Sequence, residues 1–190
     1  MATVRAGNKP ALLVVDVQVG VMEEAWDAPR VIARVARAVE RAREHGVPVI
    51  WVQHADEELP AGSPQWRWVP ELRPVEGEPL ISKRFNSSFE QTSLEEELAR
   101  IGITHVILAG AATNWCIRAT AYGALDRGYD LTLVEDAHTT GAVEVGGRTI
   151  AASDIVAELN VAMTWVSYPG RVNGTAAAEE LDFSKPGGLR

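Results

Sequence analysis

The sequence predicts an α/β domain: a doubly wound, parallel sheet of about six strands with helices on both faces. Three observations carry that expectation. Short runs of apolar, mostly β-branched residues alternate along the chain with segments of helical periodicity. Two of the runs, residues 11–17 and 105–110, are apolar at almost every position, as strands covered on both faces are. No repeat or linker interrupts the alternation, so each strand–helix–strand unit becomes a right-handed crossover.

The elements follow in order. Residues 11–17, Ala-Leu-Leu-Val-Val-Asp-Val, form a central strand whose one charge, Asp16, lies near the carboxyl end. Over residues 29–45, Val31, Ile32, Val35, Ala36 and Val39 recur at helical spacing, with Asp27 as cap, Pro29 in the first turn and Gly46 as terminator. Residues 47–52 are a second strand. About 25 residues rich in Pro, Gly and Glu follow, with Trp66, Trp68 and Pro70 among them; a loop of that length is functional or a lid. Residues 79–82 make a short third strand. The stretch Ser93-Leu-Glu-Glu96 is a capping box for a helix that runs to Arg100 and closes at Gly102. The strand at 105–110 leads to a helix over 115–127, then come a strand over 131–134, a helix over 153–162 and a strand over 163–167. From Gly170 the chain turns small, polar and Gly-rich. Residues 1–170 are thus expected to form one domain, and residues 171–190 a C-terminal extension, mobile or bound to a partner.

At 190 residues and 46% apolar composition the chain can bury a substantial core in a single domain. Its 18 Lys and Arg against 26 Asp and Glu give a net charge of −8, which disfavours binding to nucleic acid. It has neither an apolar span of membrane length nor the apolar core of a signal peptide, so a cytoplasmic protein without a membrane partner is expected. The single cysteine, Cys116, rules out an internal disulfide and a zinc site built on several cysteines.

Ligands of doubly wound sheets sit beyond the carboxyl ends of the strands, where strand order reverses. Asp16, Lys83 and Cys116 all fall at such ends. Cys116 follows the strand at 105–110 by the short turn Ala111-Ala-Thr-Asn-Trp115, at the start of a helix; the helix dipole and a nearby Lys favour its thiolate. A thiolate there can attack a carbonyl carbon while backbone N–H groups of Ala112 and Cys116 hold the oxyanion. Amide cleavage also needs a group that takes the thiol proton and passes one to the leaving nitrogen. Asp16 is the candidate, with Lys83 setting its orientation and balancing its charge. Singly, each has a structural explanation: a lone Cys is commonly a small core residue, an Asp ending a strand a turn former, and a loop Lys solvated. Their joint placement at three loops on one sheet edge is what points to chemistry.

The segments Leu13-Val-Val-Asp16-Val-Gln18, Lys83-Arg-Phe-Asn-Ser-Ser-Phe89, Leu108-Ala-Gly-Ala-Ala-Thr-Asn-Trp-Cys116-Ile-Arg-Ala-Thr120 and Val134-Glu-Asp-Ala-His138 resemble, in order and spacing, the isochorismatase-like cysteine hydrolases. The resemblance covers residues 8–168. It implies that Asp16, Lys83 and Cys116 form that family's triad, that the Ala111–Ala112 peptide is cis, and that the reaction passes through a thioester acyl-enzyme hydrolysed by water that Asp16 activates. The habit of the resembled family, together with apolar residues beyond the core, implies a homodimer or homotetramer.

Nicotinamidases of that family carry an Asp-x-His and a further His as metal ligands, whereas this chain has Trp51-Val-Gln-His54-Ala-Asp56. With four histidines, at 45, 54, 105 and 138, no second ligand is obvious. The expectation is therefore a small-molecule substrate, no metal and no cofactor. His54 either lines the pocket or bonds a loop carbonyl, and His138 serves loop structure. Trp66, Trp68 and Trp115 are candidates for flat apolar walls of the site, with packing against a neighbouring subunit the alternative for Trp66 and Trp68. Gln18 and Asn86 are candidates for orienting substrate. Three functions compete: metal-independent hydrolysis of a small amide or lactam, vinyl ether hydrolysis of the isochorismate type, and a non-catalytic family member serving binding or assembly.

Overall fold

The computed structural model describes residues 5–185. The consecutive apolar runs become the middle of a sheet, since only a strand sandwiched between two layers buries neighbouring residues alike. Strand β1 (Pro10–Val15) is followed by a short helix α1 (Val19–Met22) and by α2 (Ala28–Glu44). Then come β2 (Val49–His54), β3 (Leu80–Lys83), α3 (Leu94–Arg100) and β4 (His105–Ala111). A single π-helical turn (Thr113–Ile117) runs into α4 (Arg118–Asp126). The chain continues with β5 (Asp130–Thr139), the hairpin β6 (Val143–Val145) and β7 (Arg148–Ile150), α5 (Ala152–Trp165), β8 (Asn173–Ala176) and a 3₁₀ turn (Ala178–Glu180).

Six strands form one sheet in the order β3-β2-β1-β4-β5-β8, every neighbouring pair parallel. Side chains alternate between its faces with period two. Leu12 and Val14 of β1 pack with Trp51 and with Val31, Val35 and Val39 of α2 on one face. Leu13 and Val15 pack with Leu94, Leu98, Ala121, Leu125, Leu159 and Met163 of α3, α4 and α5 on the other. This is the doubly wound architecture that the alternation of elements predicts.

From β1 the chain first builds outward to β3, then returns to lay β4, β5 and β8 on the opposite side. The order reverses between β1 and β4, which opens a crevice at their carboxyl ends. Gly110 permits the close approach there: its φ is +127°, and a Cβ on it would lie 2.0 Å from the Val15 carbonyl oxygen.

Several local expectations are corrected. Residues 163–167, expected to be a strand, are the last turn of α5 and the exit from it. The sixth strand lies instead at Asn173–Ala176, within the stretch expected to be an extension. Asn173 fixes it by donating to the Met163 and Val166 carbonyls that end α5. Residues 186–190 of that stretch lie outside the described residues. Strand β5 does not stop at Glu135-Asp136. Leu108 pairs with Leu133 but Gly110 pairs with His138, so β5 bulges between these points and resumes to Thr139. Neither Ser93 nor Asp27 forms a side-chain cap, because Ser93 has near-helical dihedrals and Asp27 is left-handed. The long β2–β3 connection is packed down: Val69 and Leu72 are buried in the α2-side core, and Val69 N–H donates to the Val17 carbonyl. Among the described residues no helix is long and apolar enough to cross a membrane.

Two buried imidazoles make stability depend on acid. His105, whose Nε2 lies 2.9 Å from the Thr132 hydroxyl, and His138 are both pushed down to about 4 by burial. An unfolded histidine titrates near ~6.5. Above that value neither state takes the proton; between ~6.5 and 4 the unfolded chain takes protons that the folded chain refuses. Stability should therefore fall over that window, by on the order of 3 kcal/mol per histidine. Urea unfolding at pH 7.5, 5.5 and 4.5 measures it, and His105→Gln should lose less than the native chain. An equal loss in the variant would contradict the neutral burial of His105.

Candidate active site

Asp16 is the first residue beyond β1. Its φ of +53° is left-handed, a conformation that costs a non-glycine residue about 1–2 kcal/mol, and its N–H donates to the Val52 carbonyl of β2. Lys83 ends β3, two strands away, and its long side chain reaches back across the strand ends. Both are buried, Asp16 at 2% and Lys83 at 1% exposure. Lys83 Nζ lies 2.6 Å from Asp16 Oδ2 and donates to Cys116 Sγ at 3.2 Å and to the Phe85 carbonyl at 3.2 Å. Cys116 comes from the π turn after β4, which begins beyond the cis peptide Ala111–Ala112. The three residues that the sequence places on separate strand ends therefore meet around one ammonium group.

The electrostatics are those of a dry pocket. Burial raises the Asp16 carboxyl above the usual carboxylate range, against the pull of Lys83. Burial, and next the Asp16 charge, pushes the Cys116 thiol up to about 12, which outweighs Lys83. The expected preformed thiolate is thus corrected: desolvation and the neighbouring carboxylate win over Lys83 and the helix start. At rest the proton belongs to sulfur.

His54 also reaches the site, its Nδ1 3.4 Å from Lys83 Nζ and its Nε2 2.8 Å from Asp56 Oδ2. Asp56 in turn accepts from the N–H groups of Glu58 and Leu59, which fixes the start of the β2–β3 loop. An open groove of about 460 Å³ adjoins this corner, lined by Asp56, Glu57, Glu58, Arg84, Phe85 and Gln91. Among the described residues no group of three or more His, Cys, Asp or Glu converges as metal ligands would.

The remaining candidates divide. Gln18 is buried and spends its amide on backbone: it donates to the His54 and Trp66 carbonyls and accepts from the His54 N–H. It ties the β2–β3 loop to β1. Trp66 presents its carbonyl to both Gln18 and Gln53. Trp68 is partly buried and packs against the α2-side core, edge-on to Trp51 at 5.1 Å. Asn86 is exposed, and Trp115, next to the cysteine, is 55% exposed. Sequence reasoning missed the buried pair Ser88 and Thr120, whose hydroxyls lie 2.8 Å apart and staple the Lys83 loop to the helix one turn beyond Cys116. It also missed Asn160. A polar residue beside Leu159 and Met163 on the inward stripe of α5 is the signal that marks it.

Against known proteins, the Isochorismatase domain family model matches residues 10–166. Maleamate amidohydrolase of Pseudomonas putida is 31% identical over 153 residues, spanning 68% of this chain and 72% of that protein. Streptothricin hydrolase of Streptomyces noursei is 33% identical over 136 residues, spanning 68% of this chain and 54% of its own length. The crystal structure of an isochorismatase from Pseudomonas putida superposes with a TM-score of 0.81 at 27% identity, over 92% of this chain and 91% of that one. The motif resemblance is borne out: this chain belongs to the isochorismatase family. It is a hydrolase built on that fold.

The single thiol gives a direct test of the electrostatics. Iodoacetamide should label Cys116 slowly at neutral pH, with a rate still climbing well above the ~8.5 at which a free thiol titrates. Asp16→Asn, which removes the opposing charge, should label faster than the native protein at pH 8. A plateau below pH 8.5 in the native protein, or slower labelling of the variant, would overturn the assignment of the resting proton to sulfur.

Proposed function

We propose that this protein is a metal-independent cysteine amidohydrolase that cleaves the C–N bond of a small amide or lactam, with Asp16, Lys83 and Cys116 as its triad. The observation that carries the reading is the contact of one buried ammonium with both a carboxylate and the only thiol. The amidohydrolase and hydrolase names of the relatives support the bond class.

In this reading Cys116 Sγ attacks the amide carbonyl carbon while its proton passes to Asp16. Backbone N–H groups of Ala112 and Cys116 take the oxyanion. Asp16, whose raised affinity for protons suits it to hold one briefly, delivers that proton to the departing nitrogen, and the carbonyl re-forms as a thioester. Asp16, again a carboxylate, takes a proton from water as its oxygen attacks the thioester. The thiolate leaves and recovers the proton from Asp16, giving the acid and the amine. Lys83 lets Asp16 stay ionised while buried and holds it toward the sulfur.

A panel of small primary amides and lactams, assayed by release of ammonia or amine, identifies the substrate. On the best of them, Cys116→Ala and Lys83→Ala should each lower kcat/KM by more than about a thousandfold. Activity that survives Cys116→Ala would defeat the reading. One observation favours a second reading: a buried Asp with raised proton affinity is also a donor suited to vinyl ether hydrolysis. Pyruvate release from isochorismate that persists in Cys116→Ala would select it.

The pH profile supplies a separate check. Because Asp16 must be ionised to accept the thiol proton, kcat/KM should fall on the acid side with a midpoint above the ~4 of an ordinary aspartate. A profile level down to pH 4 would remove Asp16 from the base role.

A further inference from the structure

His138 and Asn160 lie outside the triad, yet both belong to a chain of hydrogen bonds that runs from a partly buried end at Asn160 to a buried end on the cysteine turn. Asn160 Nδ2 donates to the Glu135 carbonyl at 3.0 Å, which leaves its Oδ1 facing His138 Nε2 at 2.9 Å. An amide oxygen only accepts, so His138 carries its proton on Nε2. The neutral ring then offers a lone pair at Nδ1, and the Thr113 hydroxyl, 2.9 Å away, must donate to it. The direction of every bond is fixed, from Thr113 through His138 and Asn160 to the Glu135 carbonyl. Burial, which pushes His138 down to about 4, keeps the ring neutral near pH 7. Thr113 and His138 are 0% and 1% exposed, so a broken link would leave a buried polar orphan.

The bulge in β5 is what brings His138 here. It sets His138 beside Gly110 and Thr139 beside Ala111 in the sheet register, immediately before the turn that carries Cys116. Next along, Thr140 donates to Asn114 Oδ1 at 2.6 Å, a second strap on the same turn. Thr113, Asn114 and Cys116 share one π turn, so holding the first two holds the third.

We propose that His138, oriented by Asn160, is a positioning residue for hydrolysis: it grips Thr113 and thereby sets the cysteine turn at the depth and angle from which Cys116 reaches the substrate carbonyl. The inference rests on the amidohydrolase reading. Loss of the grip should loosen the turn, which costs rate because attack needs an exact approach, and at the same time exposes the thiol to small reagents.

Four variants test it in the full chain. Thr113→Val removes the hydroxyl at equal volume. His138→Asn can keep an acceptor near the Nδ1 position for Thr113, whereas His138→Gln can keep only the donor toward Asn160. Asn160→Ala removes the orienting acceptor. Thr113→Val, His138→Gln and Asn160→Ala should lower kcat by about tenfold to a hundredfold with KM little changed, and should speed iodoacetamide labelling of Cys116. His138→Asn should recover most of both. Thermal midpoints, read beside these, confirm that each variant is folded at the assay temperature. Native labelling rates in Thr113→Val and His138→Gln would overturn the proposal, as would a change confined to KM or an unrescued His138→Asn that is folded. Since labelling needs no turnover, it reads the positioning role even if Cys116→Ala proves active, an outcome that would sink the amidohydrolase reading alone.

Discussion

The constraint on which the site depends is the burial of the Lys83–Asp16 pair. Taking each charge out of water costs several kcal/mol, and an attraction across 2.6 Å offsets that only if the remaining valences are also met. The three N–H groups of Lys83 are shared among Asp16, the Phe85 carbonyl, Cys116 Sγ and His54 Nδ1. Removing either charge strands the other in a dry pocket. The two residues are therefore bound to each other by electrostatics before any chemistry is considered, and the cysteine is set within reach of both.

That pair needs a scaffold that does not give. The parallel sheet provides it by ending β1, β3 and β4 at one edge, with the crossing chains on both faces locking strand positions. Each arm is then fastened once more. Gln18 ties the loop after β2 to β1, Ser88 and Thr120 tie the Lys83 loop to α4, and Thr113 with His138 ties the cysteine turn to β5. The second and third are hydrogen bonds enclosed in the protein and the first is partly so, and a partner lost there is costly.

Strands β1, β2 and β4 were legible in the sequence because burial on both faces writes an uninterrupted apolar run. Strand β8 was not: Asn-Gly-Thr-Ala reads as a turn, and it becomes a strand only because β5 offers it an edge and Asn173 holds the end of α5. The last turn of α5 was mistaken for a strand because Trp165 is 81% exposed and breaks the expected inward stripe. Asp16, Lys83 and Cys116 could be gathered from sequence since strand ends in this fold converge. The placement of His138 beside the cysteine turn could not, because it depends on a bulge that shifts the register of β5 by residues no periodicity marks.

The raised proton affinities of Asp16 and Cys116 bear on how such a site works. A thiol pushed up to about 12 is a poor nucleophile at rest, which argues against a stored thiolate. Yet the burial that holds the proton on sulfur also makes Asp16 a stronger base than it would be in water, so the cost of moving the proton between them is smaller than either shift alone suggests. In the proposed reaction the remainder comes from the substrate: as the C–S bond forms, negative charge leaves sulfur for the carbonyl oxygen, and sulfur no longer needs its proton. On that proposal nucleophilicity is a property of the occupied site, and the empty site keeps its only thiol in the less reactive form.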